Sequence, residues 1–276
     1  MSTWLITGCS SGLGRALAQA ALAQGASVAA TARDPMSIQE LVDAHPETAL
    51  ALPLDVTDSG QITQAVRETQ QRFGAIDVLV NNAGYGYRAA VEEAGDTDVQ
   101  ALFATNFFGP VAMIKAVLPG MRARRNGTIV NVSSIGARRS PPGSGYYAAT
   151  KAALEALTAS LRKELEPLGI AAMIVEPGAF RTDFSGRSLT QSRRAIDDYA
   201  ETAGRRRKEN DTSDGTQQGD PAKAAQAIMT AVERSDPPLM LVLGPDALST
   251  FRESLDALSS DLNNWEHLST GTSFDT

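Results

Sequence analysis

A tyrosine and a lysine four residues apart, Tyr147 and Lys151, open a helix-like stretch at residues 147–167. A spacing of four puts both side chains on one helical face. A phenol with a reference pKa of about 10 is a poor base at neutral pH, and a nearby ammonium group favours the phenolate, so we expect Lys151 to lower the pKa of Tyr147. The pair predicts a general acid/base that exchanges a proton with a substrate oxygen. On its own, however, this spacing is more typical of an ordinary helix start. Tyr146 is a poorer candidate because Thr150, four residues later, carries no charge.

A glycine-rich segment follows the first apolar run, residues 3–7, and leads into a helix-like stretch at residues 13–24. In such a strand, turn and helix start, glycines let the backbone approach a pyrophosphate, and the unpaired N–H groups of the helix bind it. Glycines also serve ordinary turns, but this position favours a dinucleotide-binding turn. Its residues are Thr7, Gly8, Cys9, Ser10, Ser11, Gly12, Leu13 and Gly14.

Short apolar runs alternate with helix-like stretches along most of the chain. This alternation predicts an α/β fold in a single Rossmann-type domain at residues 1–276. Its doubly wound parallel sheet is expected to have about seven strands, flanked by helices. Only residues 183–219 break the pattern, and we interpret them as a loop that covers the substrate. Residues 255–276 are expected to form a C-terminal tail. The predicted strands lie at residues 3–7, 27–32, 49–54, 76–80, 128–133, 170–175 and 239–243.

Polar and turn-forming segments lie where the predicted strands end. Asn81-Asn82-Ala83-Gly84 follows the fourth strand, Ser134 lies thirteen residues before Tyr147, and Glu176 to Thr182 follows the sixth strand. Together with the spacing G-x-x-x-G-x-G and the pair Y-x-x-x-K, these segments resemble the short-chain dehydrogenase/reductase superfamily, in the branch that carries T-G-x-x-x-G-x-G. The chain is also similar to the 17β-hydroxysteroid and retinol dehydrogenase-like members of that branch.

The resemblance implies a catalytic tetrad. Tyr147 is the acid/base that exchanges a proton with the substrate oxygen while hydride moves between the substrate carbon and a nicotinamide. Ser134, rather than Ser133, hydrogen-bonds the substrate oxygen, and Ser133 has a structural role. Lys151 tunes Tyr147 and binds the ribose, and Asn106 distorts its helix and holds a water near the lysine.

The resemblance also implies a nicotinamide cofactor that lies along the glycine turn and the strand ends. Asp55 is expected to contact the adenine amine, Asn81 to lie nearest the cofactor, and Thr182 to hydrogen-bond the carboxamide. The implied cofactor contacts are Gly8, Ser10, Ser11, Gly12, Leu13, Gly14, Asp55, Val56, Asn82, Ala83, Gly84, Tyr147, Lys151, Pro177, Gly178, Phe180 and Thr182.

The end of the second predicted strand indicates which nicotinamide is used. NAD-preferring folds place an acidic residue here to bind the ribose 2′-OH, whereas NADP needs a cation for its 2′-phosphate. This strand ends in Ala32, followed by Arg33, which suits a forked contact with phosphate. Asp34 precedes a proline and is interpreted as a turn residue, and Ser11 adds a hydroxyl near the same phosphate. The sequence therefore favours NADP(H), with NAD(H) as the alternative.

Composition argues against several other classes of function. A net charge of −7 disfavours nucleic acid as a partner, and the basic cluster at residues 205–208 is interpreted as a solvated helix end. His45 and His267 are the only histidines, so no metal centre is expected. The single cysteine, Cys9, leaves no intramolecular disulfide. Without an apolar run of about 20 residues or a secretory signal, we expect no membrane span and a cytoplasmic location.

The leading interpretation is an oxidoreductase that interconverts a carbonyl and an alcohol. A nicotinamide-dependent epimerase or lyase is disfavoured by the glycine spacing, and a non-catalytic NADP-binding sensor by the complete tetrad. The substrate is expected to be a hydrophobic ketone or alcohol. Relatives commonly pair through their two long helices, here at about residues 97–121 and 147–167, so a homodimer or homotetramer is expected. The aromatic residues proposed for a pocket wall are Phe180, Phe184, Tyr85 and Tyr87.

Overall fold

All seven predicted strands form one parallel β-sheet in the computed structural model, which describes residues 1–184, 186, 188–208 and 215–274. Apolar side chains on both faces of these strands are buried, as expected for a sheet covered by helices on both sides. The described strands are β1 (Thr3–Ile6), β2 (Ser27–Ala32), β3 (Ala49–Pro53), β4 (Val78–Asn81), β5 (Gly86–Arg88), β6 (Gly127–Val132), β7 (Ile170–Pro177), β8 (Leu189–Gln191) and β9 (Met240–Leu243).

The strand order of the large sheet is β3-β2-β1-β4-β6-β7-β9. The chain leaves β1 toward one edge of the sheet and returns to β4 on its other side, so the direction of winding reverses between β1 and β4. Open parallel sheets bind their ligands at the carboxyl ends of the strands beside such a reversal. The glycine turn follows β1 and the segment Asn82–Gly84 follows β4, so the fold brings these two predicted segments together.

Helices cover both faces of the sheet. One buried cluster joins Ile6 and Val80 to the first helix and to a helix late in the chain, and another joins Leu5 and Leu79 to the opposite layer. The helices with at least six residues are α1 (Gly12–Ala23), α2 (Gln39–Ala44), α3 (Ser59–Phe73), α4 (Asp96–Phe103), α5 (Gly109–Arg124), α6 (Gly145–Leu165), α7 (Pro221–Val232) and α8 (Pro245–Thr270).

The helix expected at residues 97–121 is interrupted. A π-helical turn at Ala104–Phe108 separates α4 from α5, and the buried Asn106 lies within that turn. The stretch Asp96–Arg124 is long and apolar enough to cross a membrane by length and composition alone. Its inner face, which includes Met113 and Met121, packs in the protein core, so this composition equally serves a core helix.

Two parts of the C-terminal third differ from the sequence interpretation. Within residues 183–219, which were expected to be a loop, β8 pairs in parallel with β5 and forms a small second sheet. The expected tail at residues 255–276 is helical as far as Thr270, because α8 continues to that residue as a helix of 26 residues. The last two residues of that expected tail lie outside the described part of the chain. Large apolar side chains remain exposed on α8, namely Leu255, Leu258, Leu262, Trp265 and Leu268.

Candidate active site

Tyr147 lies in the first turn of α6, close to the end of β6. Its side chain is buried, and Ser134 lies beside it. The hydroxyl of Ser134 also accepts a hydrogen bond from the backbone N–H of Gly136 at 3.0 Å. A side chain on Gly136 would contact both Ser134 and the Tyr147 ring, since a Cβ there would lie 3.2 and 3.3 Å from them. The two hydroxyls predicted to hold a substrate oxygen are therefore adjacent.

The prediction that Lys151 lowers the pKa of Tyr147 is wrong in this structure. Burial raises the pKa of Tyr147, while the hydrogen bond from Ser134 and the charge of Arg88 oppose that increase. The Lys151 ammonium lies 5.9 Å from the centre of the Tyr147 ring and donates instead to the carbonyl oxygen of Val132, at 2.8 Å. Burial also lowers the pKa of Lys151 to about 8, against the attraction of Glu155, which weakens its charge near neutral pH.

Asn106 connects the π-helical turn to the end of β4. Its amide nitrogen donates to the carbonyl of Tyr85 at 2.9 Å and to the hydroxyl of Thr150 at 3.3 Å, and its amide oxygen accepts from the Tyr85 N–H at 3.0 Å. Gly84 lies between Asn106 and Lys151, because a Cβ there would be 3.0 Å from the Asn106 amide oxygen and 3.5 Å from the lysine nitrogen. The structure thus brings all four predicted catalytic residues together.

Ser133 has the structural role expected of it. Its hydroxyl donates to the buried carboxylate of Glu155, and Arg138 forms ion pairs with Glu155 at 2.6 Å and with Glu176 at 3.1 Å. Burial and the neighbouring Glu155 raise the pKa of Glu176 to about 8, although Arg138 opposes this increase. Sequence reasoning did not identify this buried cluster, which supports the ends of β6 and β7 behind Ser134.

The glycine turn after β1 has the geometry that a bound pyrophosphate requires. Gly8 and Gly12 have positive φ angles of 74° and 60°, which favour glycine. Gly14 lies against Asn82, where a Cβ would come within 2.3 Å of the amide nitrogen. Because α1 begins at Gly12, its first N–H groups have no partners within the helix. These residues fit a dinucleotide, whose pyrophosphate they would hold at the helix N-terminus.

Asn82, and not Asn81, binds the glycine turn. Its side-chain nitrogen donates to the carbonyls of Thr7 and Gly8 at 2.9 and 3.0 Å. The expectation that Asn81 lies nearest the cofactor is wrong, because its side chain is buried and its amide nitrogen donates to Asn131 on the neighbouring strand β6, at 2.8 Å. Ala83 follows Asn82 against the backbone of Gly8.

Arg33 is exposed at the end of β2 and forms no hydrogen bond or ion pair with any residue that the structure describes. Asp34 is a turn residue as interpreted, since its carboxylate accepts the N–H of Met36 at 3.0 Å. Asp55 accepts the N–H and hydroxyl of Thr57 at 2.9 and 2.7 Å, and these bonds lower its pKa. The next residue, Val56, is buried.

The segment after β7 returns toward the glycine turn. Thr182 lies beside Gly12, whose Cβ would be 3.2 Å from the threonine side chain. Phe180 pairs its backbone with Gly219 and packs against the core, so it supports the segment. Gly178 lies against the Asp246 carboxylate at the start of α8. Pro177, at the end of β7, precedes this segment.

The aromatic residues expected around the substrate divide into two groups. Phe184 lies against the catalytic tyrosine, with ring centres 5.7 Å apart. Tyr87 is buried, and its hydroxyl donates to Asp98 at 3.1 Å, while Tyr85 packs beside it. Sequence reasoning missed Arg88, a buried arginine that acts electrostatically on Tyr147. No spacing or periodicity in the sequence distinguished it.

The basic cluster at residues 205–208 is only partly a solvated helix end. Arg205 is exposed and pairs with Glu201 within the helical segment at 2.8 Å. Arg207, in contrast, forms an ion pair with the buried Glu93, which also accepts the backbone N–H groups of Ala90 and Ile196. The cluster therefore helps attach the segment after β8 to the body of the protein.

A buried tyrosine adjacent to a serine and a lysine, next to a dinucleotide-type turn, defines the class of nicotinamide-dependent oxidoreductases. Residues 2–193 match the family described as short chain dehydrogenase, and the chain belongs to this family. It is 39% identical to oxidoreductase BOA17 of Botryotinia fuckeliana, over 96% of this chain and 97% of that protein. It is 37% identical to the 3-ketodihydrosphingosine reductase of Bacteroides thetaiotaomicron, over 94% and 93% of the two chains.

Solved structures agree with this assignment. A short-chain dehydrogenase from Streptomyces avermitilis is 43% identical, with a TM-score of 0.92 over 99% of this chain and all of that one. An alcohol dehydrogenase from Thermococcus sibiricus, complexed with 5-hydroxy-NADP, is 25% identical, with a TM-score of 0.72 over 88% and 96% of the two chains. The protein is thus an oxidoreductase of a family that binds nicotinamide cofactors.

Proposed function

We propose that this protein interconverts a carbonyl compound and the corresponding alcohol by hydride transfer with NADP(H), and that Tyr147 is its general acid and base. The observation that carries the proposal is that the Ser134 hydroxyl and the buried Tyr147 ring lie next to each other, both within 3.3 Å of the Cβ position of Gly136. Two adjacent hydroxyls at the end of β6 and the start of α6 suit a single substrate oxygen. When bound, the nicotinamide supplies or accepts the hydride.

The protonation state of Tyr147 suits reduction. Because burial raises its pKa, the phenol is protonated at neutral pH and gives its proton to the oxygen as the carbonyl carbon receives hydride. In the oxidation direction, the same oxygen returns the proton to Tyr147. Ser134 orients the substrate oxygen in both directions. Lys151 and Asn106, which lie on either side of Gly84, are proposed to replace the proton on Tyr147 from the protein interior.

The preference for NADP(H) is proposed from Arg33. Its guanidinium is exposed beside the place where the second strand ends, and within the described residues it has no ion pair that would compete with a phosphate. The carboxylate of Asp34 accepts a backbone N–H, which supports a turn role over a contact with a ribose hydroxyl. A guanidinium and a phosphate form a charge-assisted, forked contact.

The direct test is to follow absorbance at 340 nm with a panel of ketones and alcohols, using NADPH and NADH in parallel. We expect substrate-dependent oxidation of NADPH, with a higher kcat/KM than for NADH. Turnover without net change at 340 nm would favour an epimerase or lyase. Tight cofactor binding with no turnover of any substrate would favour a sensor.

We also propose a homodimer or homotetramer that pairs through α4, α5 and α6, as relatives of this family commonly do. Phe108, between α4 and α5, leaves 60% of its surface exposed in the single chain, which supports an interface along this stretch. Analytical ultracentrifugation is expected to show a dimer or tetramer, and a monomer would contradict the proposal.

A further inference from the structure

Arg88 is a buried arginine at the active site that the reaction described above does not require. It is the last residue of β5, and only 8% of its surface is exposed. One of its terminal nitrogens donates to the hydroxyl of Ser144, the residue immediately before α6. Ser144 lies three residues before Tyr147, so its side chain and the catalytic phenol share one face of the helix. Arg88 therefore lies about one helical turn from the reacting oxygen.

The guanidinium of Arg88 has no opposite charge beside it. Among the described residues, no aspartate or glutamate forms an ion pair with it, and its buried Nε has no hydrogen-bond partner. Burial lowers the pKa of Arg88 to about 10, and the neighbouring charge of Arg206 adds to this decrease. The Tyr147 phenol opposes it. Arg88 is still a cation at neutral pH.

Two other shielded arginines of the described chain, Arg207 and Arg138, have carboxylate partners. Arg207, which comes from the segment after β8, pairs with Glu93. Arg138 pairs with both carboxylates of the cluster behind Ser134, Glu155 and Glu176. A buried charge is stable only when it is paired and hydrogen-bonded. An external anion beside Arg88 would supply the counter-charge that the described residues do not provide.

We propose that Arg88 binds a carboxylate of the substrate, and therefore that the enzyme acts on oxo acids or the corresponding hydroxy acids. This inference rests on the function proposed above and specifies its substrate class. The carboxylate is placed between Arg88 and the N-terminus of α6, whose first N–H groups and positive dipole end also favour an anion. The carbonyl oxygen then reaches Tyr147 and Ser134 across a short linker of about one helical turn, ~5 Å.

The location of Arg88 separates this carboxylate site from the cofactor's own anionic groups. The pyrophosphate-binding turn contacts Asn82 and Thr182 on the other side of the tyrosine. Arg88 instead contacts Ser144, and Phe184 lies between β5 and the Tyr147 ring. The aromatic wall and the cation together suit an amphiphilic substrate with an apolar body and one carboxylate.

The test compares substrates that differ only in charge. The pairs are 4-acetylbenzoate with 4-acetylbenzamide, and 4-oxopentanoate with its methyl ester, with 4-(aminomethyl)acetophenone as the cationic member. We expect the wild type to show a kcat/KM at least about tenfold higher for each acid than for its neutral partner, and the lowest for the amine, because charge-assisted hydrogen bonds are the stronger ones. Equal values for acid and neutral partner would overturn the proposal.

Variants assign the effect to Arg88. Arg88→Met is expected to lower kcat/KM for the acids at least about tenfold more than for the neutral partners, and Arg88→Lys to lower the preference partially, because lysine lacks the forked geometry. Arg194→Met is the matched control, since Arg194 is exposed and donates only to the carbonyl of Glu92. An acid preference that persists in Arg88→Met would overturn the assignment. If that variant does not fold, Arg88→Lys and the wild-type ratios decide.

A binding measurement distinguishes failure of this inference from failure of the proposed function. Benzoate and benzamide are titrated calorimetrically into the wild-type protein saturated with NADP⁺. Tighter binding of benzoate, lost in Arg88→Met and reduced in Arg88→Lys, supports carboxylate recognition even if none of the ketones is reduced. Equal binding of the two compounds, or binding of neither, overturns the inference, whereas the absence of any hydride transfer counts against the proposed function alone.

Discussion

The two sides of Tyr147 are built in different ways. On the cofactor side, the glycine turn, Asn82 and Thr182 follow strands of the same parallel sheet, and the side chains of Asn82 and Thr182 contact the backbone of the turn. On the substrate side, β5 pairs with β8, which lies about a hundred residues further along the chain: the hydroxyl of Thr190 donates to the carbonyl of Gly86, 104 residues away. The cofactor side is fixed by the parallel sheet, and the substrate side by long-range contacts.

The charges differ as well. The glycine turn offers backbone N–H groups, with Arg33 at its outer edge, whereas the substrate side contains the buried Arg88 and the ion pair between Arg207 and Glu93. A family can therefore retain one cofactor site and change its substrate through a few side chains that are distant in sequence. The reaction class and the substrate class are therefore determined by different parts of the molecule.

Replacing Tyr147 with phenylalanine tests the proton donor that lies between the two sides. Its effect on kcat/KM is expected to be the largest of those predicted. Loss of the phenol oxygen removes the proton donor, so kcat/KM is expected to fall by about 10²–10⁴. Cofactor affinity is expected to change little, because the ring remains. Stopped-flow or steady-state absorbance at 340 nm measures kcat/KM, and calorimetric titration of NADP⁺ measures cofactor affinity.

Tyr146→Phe is the control for that experiment. The Tyr146 hydroxyl donates to the carbonyl of Val91 at 3.1 Å, outside the tetrad, so its removal is expected to leave kcat nearly unchanged. Equal losses in the two variants would show that Tyr147 is not the acid/base.

Substituting Gly14 with alanine tests whether backbone geometry controls the cofactor side. The new Cβ would lie 2.3 Å from the Asn82 amide nitrogen and 2.5 Å from the carbonyl oxygen of Gly8. The turn must shift, and we expect cofactor affinity to fall by about 100-fold, comparable to the loss of roughly two hydrogen bonds. Calorimetric titration measures the loss.

Gly120→Ala provides the comparison for Gly14→Ala. In α5, a Cβ at Gly120 would meet only the ends of the Gln70 and Arg124 side chains, at 3.2 and 3.5 Å. Cofactor affinity is expected to stay at the wild-type value in this variant. Wild-type affinity in Gly14→Ala as well would contradict the role given to the turn.

Arg33→Ala removes the positive charge proposed to bind the 2′-phosphate at the outer edge of the cofactor side. We expect the KM for NADPH to rise by about 10–100-fold, the equivalent of one charge-assisted contact, and the KM for NADH to change less than threefold. The two cofactors act as mutual controls in the same preparation. If both KM values rise alike, Arg33 does not bind a 2′-phosphate.

The sequence predicted the cofactor side more fully than the substrate side, and the reason is geometric. The glycine turn and the strand ends are short local patterns whose spacing directly determines which groups meet at the edge of a parallel sheet. Even so, two neighbouring asparagines could not be assigned by spacing alone. Asn81 turns inward toward Asn131, and Asn82 binds the turn, because successive side chains alternate between faces.

The substrate side left less signal in the sequence. Pairing of β5 with β8 joins two strands of three residues each, which are too short for a detectable period. Arg88 follows the segment Gly84-Tyr85-Gly86-Tyr87, which resembles an ordinary turn. Its burial depends on Ser144 and on β8, which are distant in sequence. The helix α8 did leave a signal, because Leu255, Leu258, Leu262 and Trp265 are spaced by three or four residues, and the interpretation as a tail overlooked it.

The buried carboxylate of Glu176 belongs to the cluster that packs behind Ser134. Its titration is expected to change stability rather than catalysis, so its effect on activity is the smallest. Its pKa is raised to about 8 from the ordinary value of 4.5, so as pH rises between these values the unfolded chain releases a proton that the folded protein retains. Stability therefore falls as pH rises through this window and levels off above it. Glu176→Gln is expected to remove this contribution, so that the variant gains stability relative to the wild type as pH rises from about 5 to about 8.5.

Urea unfolding at both pH values measures the difference, and Glu164→Gln is the control because Glu164 is exposed on α6 and bonds only to Ser160. The control is expected to follow the wild type at each pH, since Glu164 lies outside the buried cluster of Glu155, Glu176 and Arg138. A constant difference between Glu176→Gln and the wild type would mean that Glu176 is ionised throughout, with Arg138 as its dominant neighbour. The support behind Ser134 would then be an ordinary ion pair, and the contrast in charge between the two sides of Tyr147 would extend into the core.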